Sequence, residues 1–216
     1  MSQAQPRYIA IEGPIGVGKT SLARRLADSF GGELLLEHAE ENPFLERFYL
    51  DMRRYALPAQ LYFLFQRARQ LRELRQADMF SPLRVADFLL EKDRIFARLN
   101  LDDDEFALYD QVYARLALDA PRPDLVVYLQ APVDVLMKRI QRRGIAFEQG
   151  IPREYLARVA EAYTRFFHFY DASPLLIVNA AEINPVDDEH DYAMLIREMQ
   201  RVRRGRHFFN PPARGQ

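Results

Sequence analysis

The eight residues GPIGVGKT, Gly13 to Thr20, constrain this chain more than any other stretch. They follow a short apolar run, YIAI at 8–11, and precede a segment, 20–30, that carries Leu22, Leu26 and Phe30 on one side at helical spacing. The pattern G-x-x-x-x-G-K-[ST] between a strand and a helix supplies backbone N–H groups that wrap a polyphosphate, a lysine that reaches its outer phosphates and a hydroxyl for Mg²⁺. Gly13, Pro14, Ile15, Gly16, Val17, Gly18, Lys19, Thr20 and Ser21 are therefore the candidate nucleotide-binding residues. A helix-capping turn is the plainer alternative.

The rest of the chain extends this start into a fold class. Short apolar segments recur at 8–11, 33–37 (ELLLE), 83–87 (LRVAD), 124–130 (DLVVYLQ) and 174–179 (PLLIVN), separated by helical patterns at about 58–77, 104–119, 133–143, 153–171 and 188–203. Five strands alternating with helices predict an α/β protein: a five-stranded, doubly wound parallel sheet of the P-loop NTPase fold, flanked by helices. With 216 residues and 49% hydrophobic content the chain has enough for one core, and one domain is expected over 1–216. No internal repeat or linker is visible. The Arg-rich tail, 204–216, reads as loose and solvated.

Charge and composition narrow the partners. Thirty Lys and Arg against 31 Asp and Glu leave a net charge of −1, so no global field draws the protein to nucleic acid or anionic lipid, and small-molecule ligands are expected. The absence of cysteine removes thiolate catalysis, disulfides and Cys-based metal sites. No apolar run approaches the roughly 20 residues that span a bilayer, and the expectation is a soluble, cytoplasmic protein.

In open α/β sheets, ligands bind beyond the carboxyl ends of the strands. Three carboxylates stand at such ends: Glu12, Glu37 and Asp87. Asp87 closes a hydrophobic strand as the second acidic element of P-loop enzymes does, which makes Thr20 and Asp87 the candidate Mg²⁺ ligands; an Asp capping the next helix is the alternative. Further on, VDVLMKRIQRRG places Arg139 and Arg143 on one helical face with Arg142 beside them. Guanidinium groups brought in by a closing segment stabilise charge on a transferring phosphoryl group, so 139–152 reads as an Arg-bearing lid, with a solvated basic helix end as the bland alternative. The guanine-reading N-K-x-D is absent.

ELLLEHAEENPFLERFY, the pair Gln60 and Arg67, the acidic strand end followed by EKDRIFA, and RRGIAFEQGIPREYL, in that order, resemble the deoxynucleoside kinases over about residues 7–180. The resemblance implies ATP as phosphate donor, Mg²⁺, a deoxynucleoside acceptor and a homodimer formed through helices flanking the sheet. It implies that Glu37 accepts the proton of the nucleoside 5′-hydroxyl, that Tyr49 and Glu148 hold the sugar 3′-hydroxyl, and that Gln60, Arg67 and Asp93 read the base, with Lys19, Arg139 and Arg143 on the transferring phosphate. Gln60 and Arg67 are seven apart, hence on one helical face. The chain departs from the pattern where relatives usually carry Arg and Ser after the acidic strand end: Phe88 and Leu89 stand there, so that duty either passes to Arg142, Arg143 or Arg94, or is lost with a lower activity. Ile145 stands where some relatives carry a second lid arginine. The competing expectations are a nucleoside monophosphate kinase such as a thymidylate kinase, and a regulatory P-loop protein without an acceptor pocket.

Overall fold

The computed structural model describes residues 6–75, 83–117 and 120–211. The expected helix ends at 76–77 and 118–119 and the last residues of the tail, 212–216, lie outside the described residues. Residues Tyr8–Glu12 form β1, every one of them buried, as a strand covered on both faces must be. α1 (Lys19–Phe30) leaves the phosphate loop directly and turns its Leu22, Ala23, Leu26 and Ala27 face into the core. Then come β2 (Glu33–Leu35), α2 (Leu45–Leu50), α3 (Met52–Arg75), β3 (Arg84–Ala86), α4 (Lys92–Asn100) and α5 (Asp103–Ala117). β4 (Leu125–Gln130), α6 (Val133–Arg143), α7 (Arg153–Phe169), β5 (Leu175–Asn179), α8 (Glu189–Arg201) and β6 (Arg206–Phe209) complete the chain.

The strands pair in the order β2-β3-β1-β4-β5-β6, all parallel. The α/β architecture is thus the expected one, with six strands rather than five. The sixth arises inside the tail expected to be loose: Arg206–Phe209 pairs with β5, where Val178 faces Phe209. An open β5 edge offers unpaired N–H and C=O groups, and the half-buried Phe209 adds an apolar anchor that the surrounding arginines conceal in the sequence.

Two features of the helices matter for the site. α3 begins at Met52, ahead of the expected start at Pro58; the proline is accommodated inside the helix, six residues from its start. α2 and α4, absent from the sequence reading, are short helices, and α4 is the element that carries Asp93. β2 and β3 end at Leu35 and Ala86, so Glu37 and Asp87 project from the segments just beyond the strands, as ligand-facing groups of a parallel sheet should.

Candidate functional site

The loop between β1 and α1 has a backbone that only glycine permits at two points. Gly13 (φ +149°) would bring a Cβ to 2.4 Å from the Leu129 carbonyl oxygen, and Gly16 (φ +83°) would bring one to 2.9 Å from the Leu136 carbonyl. The loop is therefore clamped between β4 and α6. Lys19 Nζ donates back to the carbonyls of Gly13 (2.8 Å) and Pro14 (3.3 Å), which places the ammonium over the loop concavity. Burial and the nearby Lys92 ammonium pull its pKa down to about 8, against the opposing pull of Glu12 and Asp87.

Beyond the strand ends, the carboxylates take different parts. Glu12 is fully buried and saturated: its oxygens accept from the N–H of Gly13 (2.9 Å), the N–H of Leu89 (2.7 Å) and the Tyr163 hydroxyl (3.0 Å). Such a carboxylate anchors the β1 end to α7 and to the segment after β3. Asp87 accepts from the Thr20 hydroxyl and from the Glu37 N–H at 2.7 Å. A hydroxyl and a carboxylate side by side, both hard oxygen donors, suit Mg²⁺, which takes one or two carboxylates and completes its shell with water and phosphate oxygens. Among the described residues no cluster of three or more His, Cys, Asp or Glu could hold a metal by itself.

Glu37 is held by two buried cations. Lys92 Nζ donates to it at 3.0 Å, and the Arg67 guanidinium pairs with it through one nitrogen and with Asp93 through the other. A cavity of about 540 Å³ opens in front of this group, lined by Lys19, Thr20, Glu37, Tyr49, Gln60, Arg67, Asp87, Lys92, Arg143 and Glu148. Its size is that of a small-molecule site. Phe63, Phe96, Phe147 and Tyr155 supply apolar walls; Arg67 lies 4.9 Å over the Phe63 ring, and Tyr49 stacks on Phe147 at 6.3 Å. Glu148 pairs with Arg143, and burial raises the Tyr49 hydroxyl well above its ordinary pKa, keeping it a neutral donor.

The catalytic, metal and substrate candidates thus meet in one cavity except Asp93 and Arg139; of the phosphate-loop candidates Ile15, Gly16, Lys19, Thr20 and Ser21 line it, and Gly13, Pro14, Val17 and Gly18 do not. Asp93 is completely buried behind Arg67 and lines no part of the cavity wall; it is the partner of a cavity-lining group rather than one itself. Arg139 is turned toward an adjoining cavity of about 640 Å³, its guanidinium spent on the carbonyls of Val17 (3.1 Å) and Ala180 (2.8 Å), because α6 presents that side to the outer flank of the phosphate loop. Arg142 lines the same second cavity, Arg143 lines both, and Arg94 points elsewhere, paired with Asp110 at 3.0 Å. Phe88 is fully buried among Tyr8, Leu64 and Tyr109.

Lys92 is the residue that sequence reasoning missed. A signal was present: it stands three residues before Ile95, four before Phe96 and seven before Leu99, on the apolar face of a helix, where a lysine needs a partner.

The deoxynucleoside kinase family model matches residues 9–203. The chain is 32% identical to a deoxyguanosine kinase of Bacillus subtilis, covering 90% of this chain and 93% of the relative, and 30% identical to a deoxyadenosine kinase of Lactobacillus acidophilus, covering 89% and 94%. Among solved structures, that of the deoxyadenosine kinase from M. mycoides with bound dATP superposes with a TM-score of 0.78 at 26% identity, over 90% of this chain and 99% of that one. A phosphate loop facing a polar-floored cavity, in a fold and sequence shared along nearly the whole length, places this chain in the deoxynucleoside kinase family.

Proposed function

We propose that the chain transfers the γ-phosphoryl group of ATP to the 5′-hydroxyl of a deoxyribonucleoside, favouring a purine nucleoside or deoxycytidine over thymidine, in nucleotide salvage. The observation that carries this reading is that Glu37 stands inside one cavity between the phosphate loop and the Gln60 and Arg67 wall. A hydroxyl entering from that wall meets a carboxylate before it meets the phosphates.

In this reading the loop N–H groups and Lys19 hold the outer phosphates, and Thr20 and Asp87 hold Mg²⁺, which when bound neutralises charge on the phosphates. Tyr49 donates to the sugar 3′-hydroxyl while Glu148 accepts from it, so the ribose is fixed from the side opposite the loop. Glu37 accepts the 5′-hydroxyl proton as the 5′ oxygen bonds to the γ-phosphorus and the bond to the β-bridging oxygen breaks; the proton then passes to solvent. Arg143, at the end of α6 and paired with Glu148, is the lid cation that faces the transferring group. Arg139 belongs with the donor side, bracing the loop through Val17.

The same reading includes a homodimer working in the cytoplasm; light scattering at micromolar concentration checks the assembly. Among the described residues no helix is long and apolar enough to cross a membrane. An acceptor that already carries a phosphate would bring like charge to Glu37. Turnover of ATP by the purified protein with deoxyadenosine, deoxyguanosine, deoxycytidine, thymidine and thymidine monophosphate decides the matter. Turnover only with the monophosphate would replace the proposal by a monophosphate kinase, and turnover with none would favour a regulatory nucleotide-binding protein.

A further inference from the structure

Position 88 gives the site no cation, since Phe88 is fully buried in an apolar cluster. The space beside Glu37 is nonetheless charged, because α4 begins four residues later and delivers Lys92 from its first turn. The Lys92 side chain is 2% exposed, and its Nζ lies 3.0 Å from Glu37 and 3.5 Å from Glu12 while lining the same cavity as Lys19 and Thr20. The two carboxylates differ in what they need. Glu12 already accepts three hydrogen bonds and is fixed. Glu37 sits on an irregular segment after β2, tied by its own N–H to Asp87, and its carboxylate direction is set by Arg67 on one oxygen and Lys92 on the other. Lys92 therefore links a rigid strand end to a side chain whose direction matters.

We propose that Lys92 is a positioning residue for phosphoryl transfer: bridging Glu12 and Glu37, it aims the Glu37 carboxylate at the acceptor hydroxyl and adds positive charge on the acceptor side of the transferring group. This rests on the kinase reading above. An ammonium buried between carboxylates costs desolvation that an apolar side chain would avoid, and a purely structural pair would close on Glu12 alone. Burial lowers the Lys92 pKa to about 8, opposed by Glu12 and Asp87 and reinforced by Arg67, so the group is cationic at neutral pH.

The test compares wild type with Lys92→Met, Lys92→Arg and the double variant Glu12→Gln/Lys92→Met, measuring kcat, KM for the preferred deoxynucleoside and Tm. The expected result is a kcat loss of about 100-fold in Lys92→Met with KM changed by less than about threefold. Lys92→Arg should recover at least about tenfold of that loss, because it restores the charge and the bridge. The double variant removes the charge that Lys92→Met would leave unpaired at Glu12 but turns an amide nitrogen toward the Gly13 or Leu89 N–H, so Glu12→Gln alone is measured beside it as its reference. A folded double variant with wild-type kcat would overturn the proposal, showing that Lys92 serves Glu12 only; so would Lys92→Met with kcat unchanged. Wild-type protein that turns over no nucleoside would instead sink the kinase reading and the Lys92 proposal with it.

Discussion

The Glu37 N–H donates to the Asp87 carboxylate at 2.7 Å, and the other oxygen of that carboxylate accepts from the Thr20 hydroxyl. One side chain after β3 thereby ties the phosphate loop to the segment that carries the proposed base. Asp87→Asn should therefore damage two functions at once, because an amide nitrogen would face either the Glu37 N–H or the Thr20 hydroxyl. We expect kcat to fall by on the order of 100-fold and the Mg²⁺ concentration for half-maximal turnover to rise by about tenfold. A magnesium titration of the variant checks both. An unchanged magnesium requirement would remove Asp87 from the ion site.

Glu37→Gln keeps the shape and removes the proton acceptor. Loss of a general base costs about 10² to 10⁴ in rate, so kcat should drop by that amount while nucleoside affinity, measured by calorimetry, stays near wild type. Affinity lost with kcat retained would mean that Glu37 binds substrate without taking its proton.

Lys19 and Lys92 are both held near pKa 8 by burial. Polyphosphate beside them favours the ammonium form, so the bound-state pKa lies above the free value. Below both values the lysines are already charged and binding moves no proton; between them binding takes protons up, and affinity declines as pH rises past the free value. Calorimetry with a non-hydrolysable ATP analogue, in two buffers of different ionisation enthalpy, should give an uptake of roughly one proton near pH 8.5 and almost none near pH 6.5. Equal proton exchange at both would show that neither ammonium meets the phosphates.

What could be read from the sequence follows the physics of each element. β1 and β4 are continuous apolar runs buried on both faces, and the loop between β1 and α1 has a spacing fixed by chemistry, so the fold class and Lys19, Thr20 and Asp87 were legible without coordinates. Gln60 and Arg67 lie on one face of a long helix and duly share a wall. Illegible were features set by tertiary partners. β6 exists because β5 has an open edge, Arg139 is committed to carbonyls far away in sequence, and Asp93 is screened by the arginine it accompanies. α4 is short and opens on Lys92 itself, so the spacing that Lys92 shares with Ile95, Phe96 and Leu99 runs for only about two turns and was passed over.

Phe88 stands where the sequence resemblance implies an arginine, and its ring is wholly within the core beside Tyr8, Leu64 and Tyr109. Phe88→Ala should cost about 3 to 5 kcal/mol of stability, a lowering of Tm on the order of 10 °C. At temperatures where the variant remains folded, kcat should stay within about threefold of wild type. Thermal denaturation followed by circular dichroism checks the first part, and a variant with wild-type Tm would show that the cluster does not depend on the ring.

In the proposed reading the base meets Arg67 and Gln60, which line the cavity, while Asp93 lies behind the guanidinium. Arg67 has donors only, set in a planar fork, whereas Gln60 offers both a donor and an acceptor. A fork of donors fits an edge with two adjacent acceptors, such as O6 and N7 of guanine; adenine keeps N7 and offers its amine to the Gln60 carbonyl. Arg67 already gives one N–H of each terminal nitrogen to Glu37 and Asp93, so the base meets the remaining N–H groups, and thymine, which presents one carbonyl next to a methyl group on that edge, engages fewer of them than guanine does. Leaving a built polar site unpaired can cost a factor on the order of 10⁴ in discrimination. We therefore expect kcat/KM to be highest for a purine deoxynucleoside, with deoxyguanosine well above thymidine, and Arg67→Met to erase most of that gap while also loosening Glu37, which Arg67 holds. Steady-state kinetics on four deoxynucleosides with both proteins provides the comparison. A kcat/KM for thymidine above those for deoxyguanosine and deoxyadenosine in the wild type would mean that this wall does not read the base in the way its donors suggest.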